Sequence, residues 1–403
     1  MPRPMSQEKG KTRTRKRLGF VLYALICGFL LIEVALRVVT DDRNGDHVLF
    51  NLTQVPLPIV SESHLRILAM APEELPYVVP DPDLGWTIRP DGKTADGLFA
   101  SNGMGLRSAP TPVNVTKAPG VTRILLVGDS YTHGDEIPWP ETWAAQLQST
   151  LGESYEVLNG GVGGYGTDQA LLRGRRLGAR LDPDVVVLGI YRQDLLRNLT
   201  LFRAVKHPWT HYPWSKPRFV LDGEGLRLVN SPVVPPTQVE STLTDWDAFP
   251  LRMHDTLWCA PLHEDPWTYT SRIWRYLASR RIHRERYEHR QALLTGRNEG
   301  VVVTARLAKR FRDETAESKA RAVVLLLPGV EGVPGYHDGG HPPLRWLHAE
   351  LDRLNVPYVD VGATLYGDLK PGEKPGALFV RGVGHPNARA CGIIAKTLAP
   401  HVR

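Results

Sequence analysis

The run at residues 18–39, LGFVLYALICGFLLIEVALRVV, constrains this chain more than any other feature. As a helix its twenty-two residues rise roughly 33 Å at about 1.5 Å each, enough to cross the hydrocarbon of a bilayer. Glu33 and Arg37 interrupt it near the far end, four apart with the acid first, so a helix places them on one face where they can pair while Arg37 reaches the interface. Residues 1–17 hold seven Lys or Arg against Glu8, which puts the N-terminus in the cytoplasm and residues 40–403 outside it. A cleaved signal peptide is the competing reading, but the run is long for one and no A-x-A-like site follows. A buried helix of a soluble protein is the third. The formal charge of +6 and pI near 9.2 do not indicate nucleic acid, because the tail accounts for the whole surplus.

Hydrophobic residues make up 42% and charged residues 23% of the 403, enough for a sizeable core. The organisation expected is a cytoplasmic tail at 1–17, an anchor at 18–39, a stalk and extension at 40–120, and one α/β domain at 121–403 interrupted by an insertion at 201–300. The stalk region is rich in Pro, Gly, Asp and Asn and is expected to pack on the domain through Leu84-Gly-Trp86 and Gly105-Leu-Arg107. Short apolar runs at 124–127, 156–158, 185–190, 322–327 and 358–361 read as buried parallel strands. Helical spacing at 141–151, 167–181, 303–320, 343–354 and from about Asn387 lies between and after them, with Thr167 a candidate cap and Asp182-Pro-Asp184 a stop. Strands alternating with helices give a parallel sheet covered on both faces. In the insertion, residues 271–294 read as a helix with seven Arg and a narrow apolar face, either solvated or facing anionic glycans or lipid headgroups. Cys259 and Cys391 could form a disulfide outside the cytoplasm, or stay as two buried thiols.

In a parallel α/β sheet, ligands sit at the carboxyl ends of the strands. Four segments fall there in order: Gly128-Asp129-Ser130, NGGVGGYGT at 159–167, Tyr191-Arg192-Gln193-Asp194, and Gly384-His385-Pro386-Asn387. A serine hydroxyl needs an imidazole to take its proton, and the oxyanion that forms needs fixed donors. Ser130 offers the hydroxyl and a backbone N–H, the glycine turn a second N–H, Gln193 an amide, and His385 the base.

This order resembles the SGNH (GDSL-type) hydrolase superfamily: GDSYTHG matches its nucleophile block, NGGVGGYGT its glycine block and GHPNA its histidine block. LGWTIRP, GMGLRS, TDQALL, LGIYRQDLLRN and KPRFVLDGEGLRLVN look like a bacterial membrane-anchored branch of it. The resemblance implies a three-layer α/β/α, flavodoxin-like fold behind one transmembrane helix, and a single-pass inner-membrane protein with a periplasmic catalytic domain. It implies Ser130 as nucleophile, His385 as base, and Ser130, Gly164 and Gln193 at the oxyanion hole, with no cofactor and no metal. Thr132 stands where the α/β-hydrolase elbow G-x-S-x-G needs glycine, which disfavours that fold.

Two departures stand out. Gln193 replaces the family's Asn. Gly382 and Val383 occupy the positions where an Asp normally orients the histidine. Without that acid a Ser130–His385 dyad is expected, with the imidazole held by a carbonyl or water, or by an acid from elsewhere such as Asp360 or Glu373. Asp338-Gly-Gly-His341-Pro342 has the missing spacing but precedes the last helix and strand. His337, Asp338, His341 and His348 could suggest a metal, with a polar surface loop the plainer reading. His133 and Asp135 could line the pocket mouth, or be exposed turn residues. The function expected is an extracytoplasmic esterase or O-acyltransferase acting on short acyl groups of a cell-surface glycan or lipid, with no nucleic acid as partner. The alternative is a degenerate, non-catalytic domain that binds a surface glycan or assembles with a polymer-modifying machine.

Overall fold

Five short strands carry the fold: β1 (Thr122–Val127), β2 (Tyr155–Asn159), β3 (Val185–Tyr191), β4 (Arg321–Leu327) and β5 (Tyr358–Asp360). They form one sheet in the order β5-β4-β3-β1-β2, every neighbouring pair parallel. The computed structural model describes residues 6–43, 46–109, 115–337 and 340–403. These divide into two compact units, Met1–Pro58 with Cys259–His289, and Ile59–Trp258 with Arg290–Arg403. The sheet lies in the second.

Alternation along each strand decides the layers, since successive side chains point to opposite faces. Ile124, Leu126, Val185, Val187, Leu325 and Leu327 meet helices α2 (Trp143–Leu151) and α7 (Ala388–Val402). Leu125, Val127, Val186, Leu188, Val324 and Leu326 meet α3 (Thr167–Leu181), α5 (Glu299–Glu317) and α6 (Arg345–Arg353). Both faces are therefore apolar, which is why the strands read as unbroken runs. The result is the three-layer α/β/α fold expected.

The helix ends are set by side chains. Thr142, Asn298 and Asn387 accept backbone N–H groups at the starts of α2, α5 and α7. At α3 the expected cap is corrected. Gly166 holds the capping position, Gln169 accepts its N–H at 3.2 Å, and Thr167 Oγ1 has no partner among the described residues. Asp182 ends α3 in the left-handed region, φ +43°.

Residues 59–109 are part of the second unit and reach the sheet's carboxyl edge. Trp86, fully buried in the hairpin Val78–Asp81 and Gly85–Ile88, donates to Gly163 O at 3.0 Å, and Tyr165 Oη donates back to Trp86 O at 2.5 Å. Gly85 has φ +84°, and a Cβ there would lie 2.3 Å from Ser215 O, so the approach needs glycine. Arg107 N donates to Asn159 O at 2.9 Å. The stretch 201–300 does not form one body: 201–258 belongs to the second unit and 259–289 to the first.

That other unit is built on α1 (Ser6–Val39), whose portion Thr14–Val39 is long and apolar enough to cross a membrane. Glu33 and Arg37 pair at 3.0 Å. Residues 272–289 of α4 (Arg272–Thr295) pack on the segment after α1: Val55 N donates to Ser279 Oγ at 3.0 Å, Arg275 Nε to Val55 O at 2.6 Å, and Val55, Leu57, Leu262 and Ile282 share an apolar cluster. Cys259 and Cys391 are not joined in a disulfide, and burial pushes the Cys391 thiol up to about 12.

Between α3 and the 201–258 segment, the fully buried Lys216 ammonium meets the fully buried Asp168 carboxylate and donates to Pro217 O at 2.8 Å. Removing one partner of such a pair strands the other. Lys216→Met is expected to lower the unfolding free energy in urea by about 3–5 kcal/mol, with Lys216→Met/Asp168→Leu recovering most of it. A single variant as stable as the parent would show that the pair does not hold this segment.

Candidate active site

Ser130 opens a one-turn helix, Ser130–His133, directly after β1, where the strand order reverses between β2 and β3. Asp129 caps the turn, accepting Tyr131 N at 2.9 Å. Gly128 is required: a Cβ there would lie 2.2 Å from Thr132 Oγ1 and 2.9 Å from Gly189 O. Beneath the turn, Arg197 Nη1 donates to Asp129 Oδ2 at 2.5 Å, to Asp194 Oδ1 at 2.8 Å and to Tyr165 O at 3.1 Å. One buried guanidinium thus joins the ends of β1 and β3 to the glycine loop.

The histidine arrives from the loop before α7. Val380 N donates to His385 O at 2.7 Å, Gly384 has φ +83°, and Tyr131 Oη donates to Gly384 O at 2.8 Å. This sets His385 Nε2 2.9 Å from Ser130 Oγ. On the far side of the ring, Nδ1 is hydrogen-bonded to the carboxylate of Glu136. The expected dyad is therefore corrected to a Ser130–His385–Glu136 relay: Glu136 accepts from Nδ1–H, leaving Nε2 free to accept the serine proton.

Glu136 reaches the imidazole because the chain turns sharply after the nucleophile. Gly134 N and Asp135 N both donate to Ser130 O, at 2.9 and 3.1 Å, and Glu136 itself sits at φ +66°. Asp135 Oδ1 holds His133 Nδ1 at 2.5 Å, and His133 Nε2 meets Tyr77 Oη at 2.7 Å. Arg107 Nη2 donates to Ile137 O at 3.2 Å. His133 is buried and Asp135 half-buried, so they are not exposed turn residues, and they brace the loop that carries Glu136. The other acids considered are engaged elsewhere. Asp360 Oδ2 accepts from Tyr336 Oη at 2.8 Å and lies 2.7 Å from His348 Nε2, while Glu373 pairs with Arg389 at 2.8 Å. Asp338 lies outside the described residues, and among those described no group of three His, Cys, Asp or Glu could hold a metal ion.

Burial disfavours a charged His385, but the Glu136 hydrogen bond and the nearby charges of Asp135, Glu136 and Asp129 outweigh it, so its pKa is raised above the ordinary 6.5. Gly164, at φ +81°, and Ser130 present backbone N–H groups that donate to no acceptor among the described residues. A Cβ on Gly164 would lie 2.9 Å from the Tyr212 ring and 3.3 Å from Arg203 Nε. Arg203 was not singled out by the sequence. Its Nε and Nη1 are enclosed without a partner among the described residues, and burial beside Arg197 lowers its pKa to about 9, still a cation at neutral pH. Gln193 is the residue the structure does not bring in. It starts the turn Asp194–Arg197, its carbonyl accepts from Leu196 and Arg197, and its side chain makes no hydrogen bond among the described residues.

No protein-family model matches the chain, and no curated protein matches it. It is similar to the solved structure of an acetyl xylan esterase, at 13% identity and TM-score 0.35 over 70% of this chain and 100% of that one. It is similar to a member of the lipolytic protein G-D-S-L family from Veillonella parvula, at 12% and 0.34 over 70% and 97%. A third is the lipase/acylhydrolase from Enterococcus faecalis, at 13% and 0.35 over 70% and 95%.

Glu136→Gln keeps the size of the side chain but removes the charge that fixes the tautomer. It is expected to lower kcat/KM on an activated acyl ester by about 10²–10⁴-fold, while Asp360→Asn and Glu373→Gln stay near the parent. Parent-like turnover by Glu136→Gln would mean that another group orients His385.

Proposed function

We propose that this chain is a serine ester hydrolase of the SGNH type, acting from the outer side of a membrane on acyl groups of a cell-surface glycan or lipid. The observation that carries the reading is the unbroken relay Ser130 Oγ, His385 Nε2, His385 Nδ1, Glu136 Oε2 at the carboxyl edge of a parallel sheet.

The reaction follows from these groups. Ser130 Oγ attacks the acyl carbonyl as its proton passes to His385 Nε2, and Glu136 stabilises the imidazolium formed. The carbonyl's π electrons move to its oxygen, which takes hydrogen bonds from the Ser130 and Gly164 N–H groups, with the Arg203 cation nearby adding positive potential. The tetrahedral adduct collapses, the alcohol leaves with the proton from His385, and the acyl group stays on Ser130. A water, or an acceptor hydroxyl in a transferase, then repeats the steps in reverse. The non-catalytic alternative drew on a missing acid and on Gln193; Glu136 removes the first ground, and two backbone donors leave Gln193 dispensable.

A span at α1 supports a single-pass membrane protein, and the basic residues before it support a cytoplasmic N-terminus with the catalytic unit outside, periplasmic in a two-membrane cell. The acyl acceptor is then a surface polymer or lipid.

The parent is expected to be labelled on Ser130 by a serine-reactive phosphonate and to hydrolyse short acyl esters. Ser130→Ala should lose label and lose turnover by on the order of 10⁶-fold with folding unchanged. A folded parent that neither labels nor turns over any acyl ester would favour the non-catalytic domain.

A further inference from the structure

Glu33 is an acid near the outer end of a helix that otherwise reads as a membrane span, and its partners show what the end of that helix is for. Its carboxylate accepts from Arg272 N at 2.7 Å, from Ile273 N at 3.2 Å and from Ser271 Oγ at 3.0 Å, capping the N-terminus of α4. Arg37, paired with Glu33, donates to Thr270 O at 2.7 Å. A carboxylate at a helix N-terminus satisfies orphan N–H groups and sits at the positive end of the macrodipole. The first turn of α4 is thereby fixed against the last turns of α1, six residues before its end.

What surrounds that point is apolar and exposed. Trp267 is 83% exposed, Phe50 70%, Trp274 55% and Leu277 47%. Phe50 packs edge-on against Tyr276 at 6.0 Å, which joins the segment after α1 to the same patch. Roughly two to three turns beyond Trp274 on the exposed side of α4 stand Arg280, Arg281 and Arg284, about 9–15 Å along the axis at 1.5 Å per residue. Arg281 and Arg284 reach Glu285 and Glu288 only at 3.5 and 3.8 Å in full solvent, contacts too weak to neutralise them. Aromatic rings nearest the end of the span with arginines further out match the layering of a membrane surface, where Trp sits at the interface and Arg meets anionic headgroups.

We propose that Phe50, Trp267, Trp274 and Leu277, with Arg280, Arg281 and Arg284, form a docking surface for the anionic phospholipid bilayer that α1 crosses. The surface rests on the reading of α1 as a span. It lays the segment 259–289 on the membrane beside the end of α1.

The span at 18–39 contains no Trp, so all ten in the chain lie outside it and any quenching from the acyl chains reports on the rest of the protein. The full chain is reconstituted in vesicles of phosphatidylcholine and phosphatidylglycerol carrying brominated acyl chains, and Trp emission is read. Quenching is expected, and Trp267→Phe/Trp274→Phe should reduce it at least about twofold, whereas Trp209→Phe leaves it unchanged. Arg280→Gln/Arg281→Gln/Arg284→Gln should bring it down toward the value in phosphatidylcholine alone. A chain that co-floats with the vesicles but is not quenched, or whose quenching survives the double Trp variant, overturns the surface and leaves the span standing; the exposed aromatics would then belong to a protein contact. A chain that does not co-float overturns the span and the surface together.

Discussion

Arg197 holds three parts of this site that the chain order keeps apart. Its Nη1 lies within hydrogen-bonding reach of the carboxylates of Asp129, after β1, and Asp194, after β3, and of the Tyr165 carbonyl in the glycine loop. All three charged side chains are buried. Two carboxylates so close to each other and to an apolar core would otherwise resist ionisation, and burial together with Asp129 does push the Asp194 carboxyl upward. The shared guanidinium is what lets both strand ends converge. Tyr191, stacked on Tyr131 at 3.9 Å between ring centres and lying beneath the Arg197 cation, completes the floor of the nucleophile turn. Substituting Arg197 would leave buried charges unpaired and move the nucleophile, its amide and the glycine loop at once.

On that floor, positioning is done by local turns and by the segment 59–109. The sharp turn after Ser130 presents Glu136 at a positive φ, a conformation a non-glycine residue holds only when its surroundings fix it. Those surroundings are the Asp135–His133–Tyr77 chain, buried at His133 and Tyr77, and the Arg107 bond to Ile137 O. Tyr77 and Arg107, like Trp86 behind the glycine loop, come from the Pro- and Gly-rich region that precedes the sheet. The region expected to pack on the domain through Leu84-Gly-Trp86 and Gly105-Leu-Arg107 therefore also walls the candidate site.

The apolar runs that became β1 to β5, and α3 at 167–181, were legible because strand and helix periods are local properties of the chain. Ser130 and His385 were legible because each follows a strand or opens a helix in a recognisable phrase. Glu136 was not. It is 249 positions from His385, its neighbours carry no pattern, and only the backbone turn, invisible in composition, aims it. The same limit applies to Arg203, whose place beside Gly164 depends on how residues after β3 fold back. The pairing of Glu33 with Arg37 followed from helical spacing, whereas its role as a cap for α4 joins residues over 230 positions apart.

The proposed mechanism depends on Glu136 as the acid of the relay. The most direct test is the pKa of His385, followed by NMR on histidine-labelled protein with His385 assigned by substitution. With Glu136 in place, the imidazole is expected to titrate above 6.5 and to fall in Glu136→Gln, where burial is left to act with less opposing charge. As the base must be neutral, the acid limb of kcat/KM should move down in pH by the same step. A His385 pKa at or below 6.5 in the parent, unchanged in Glu136→Gln, would contradict the relay.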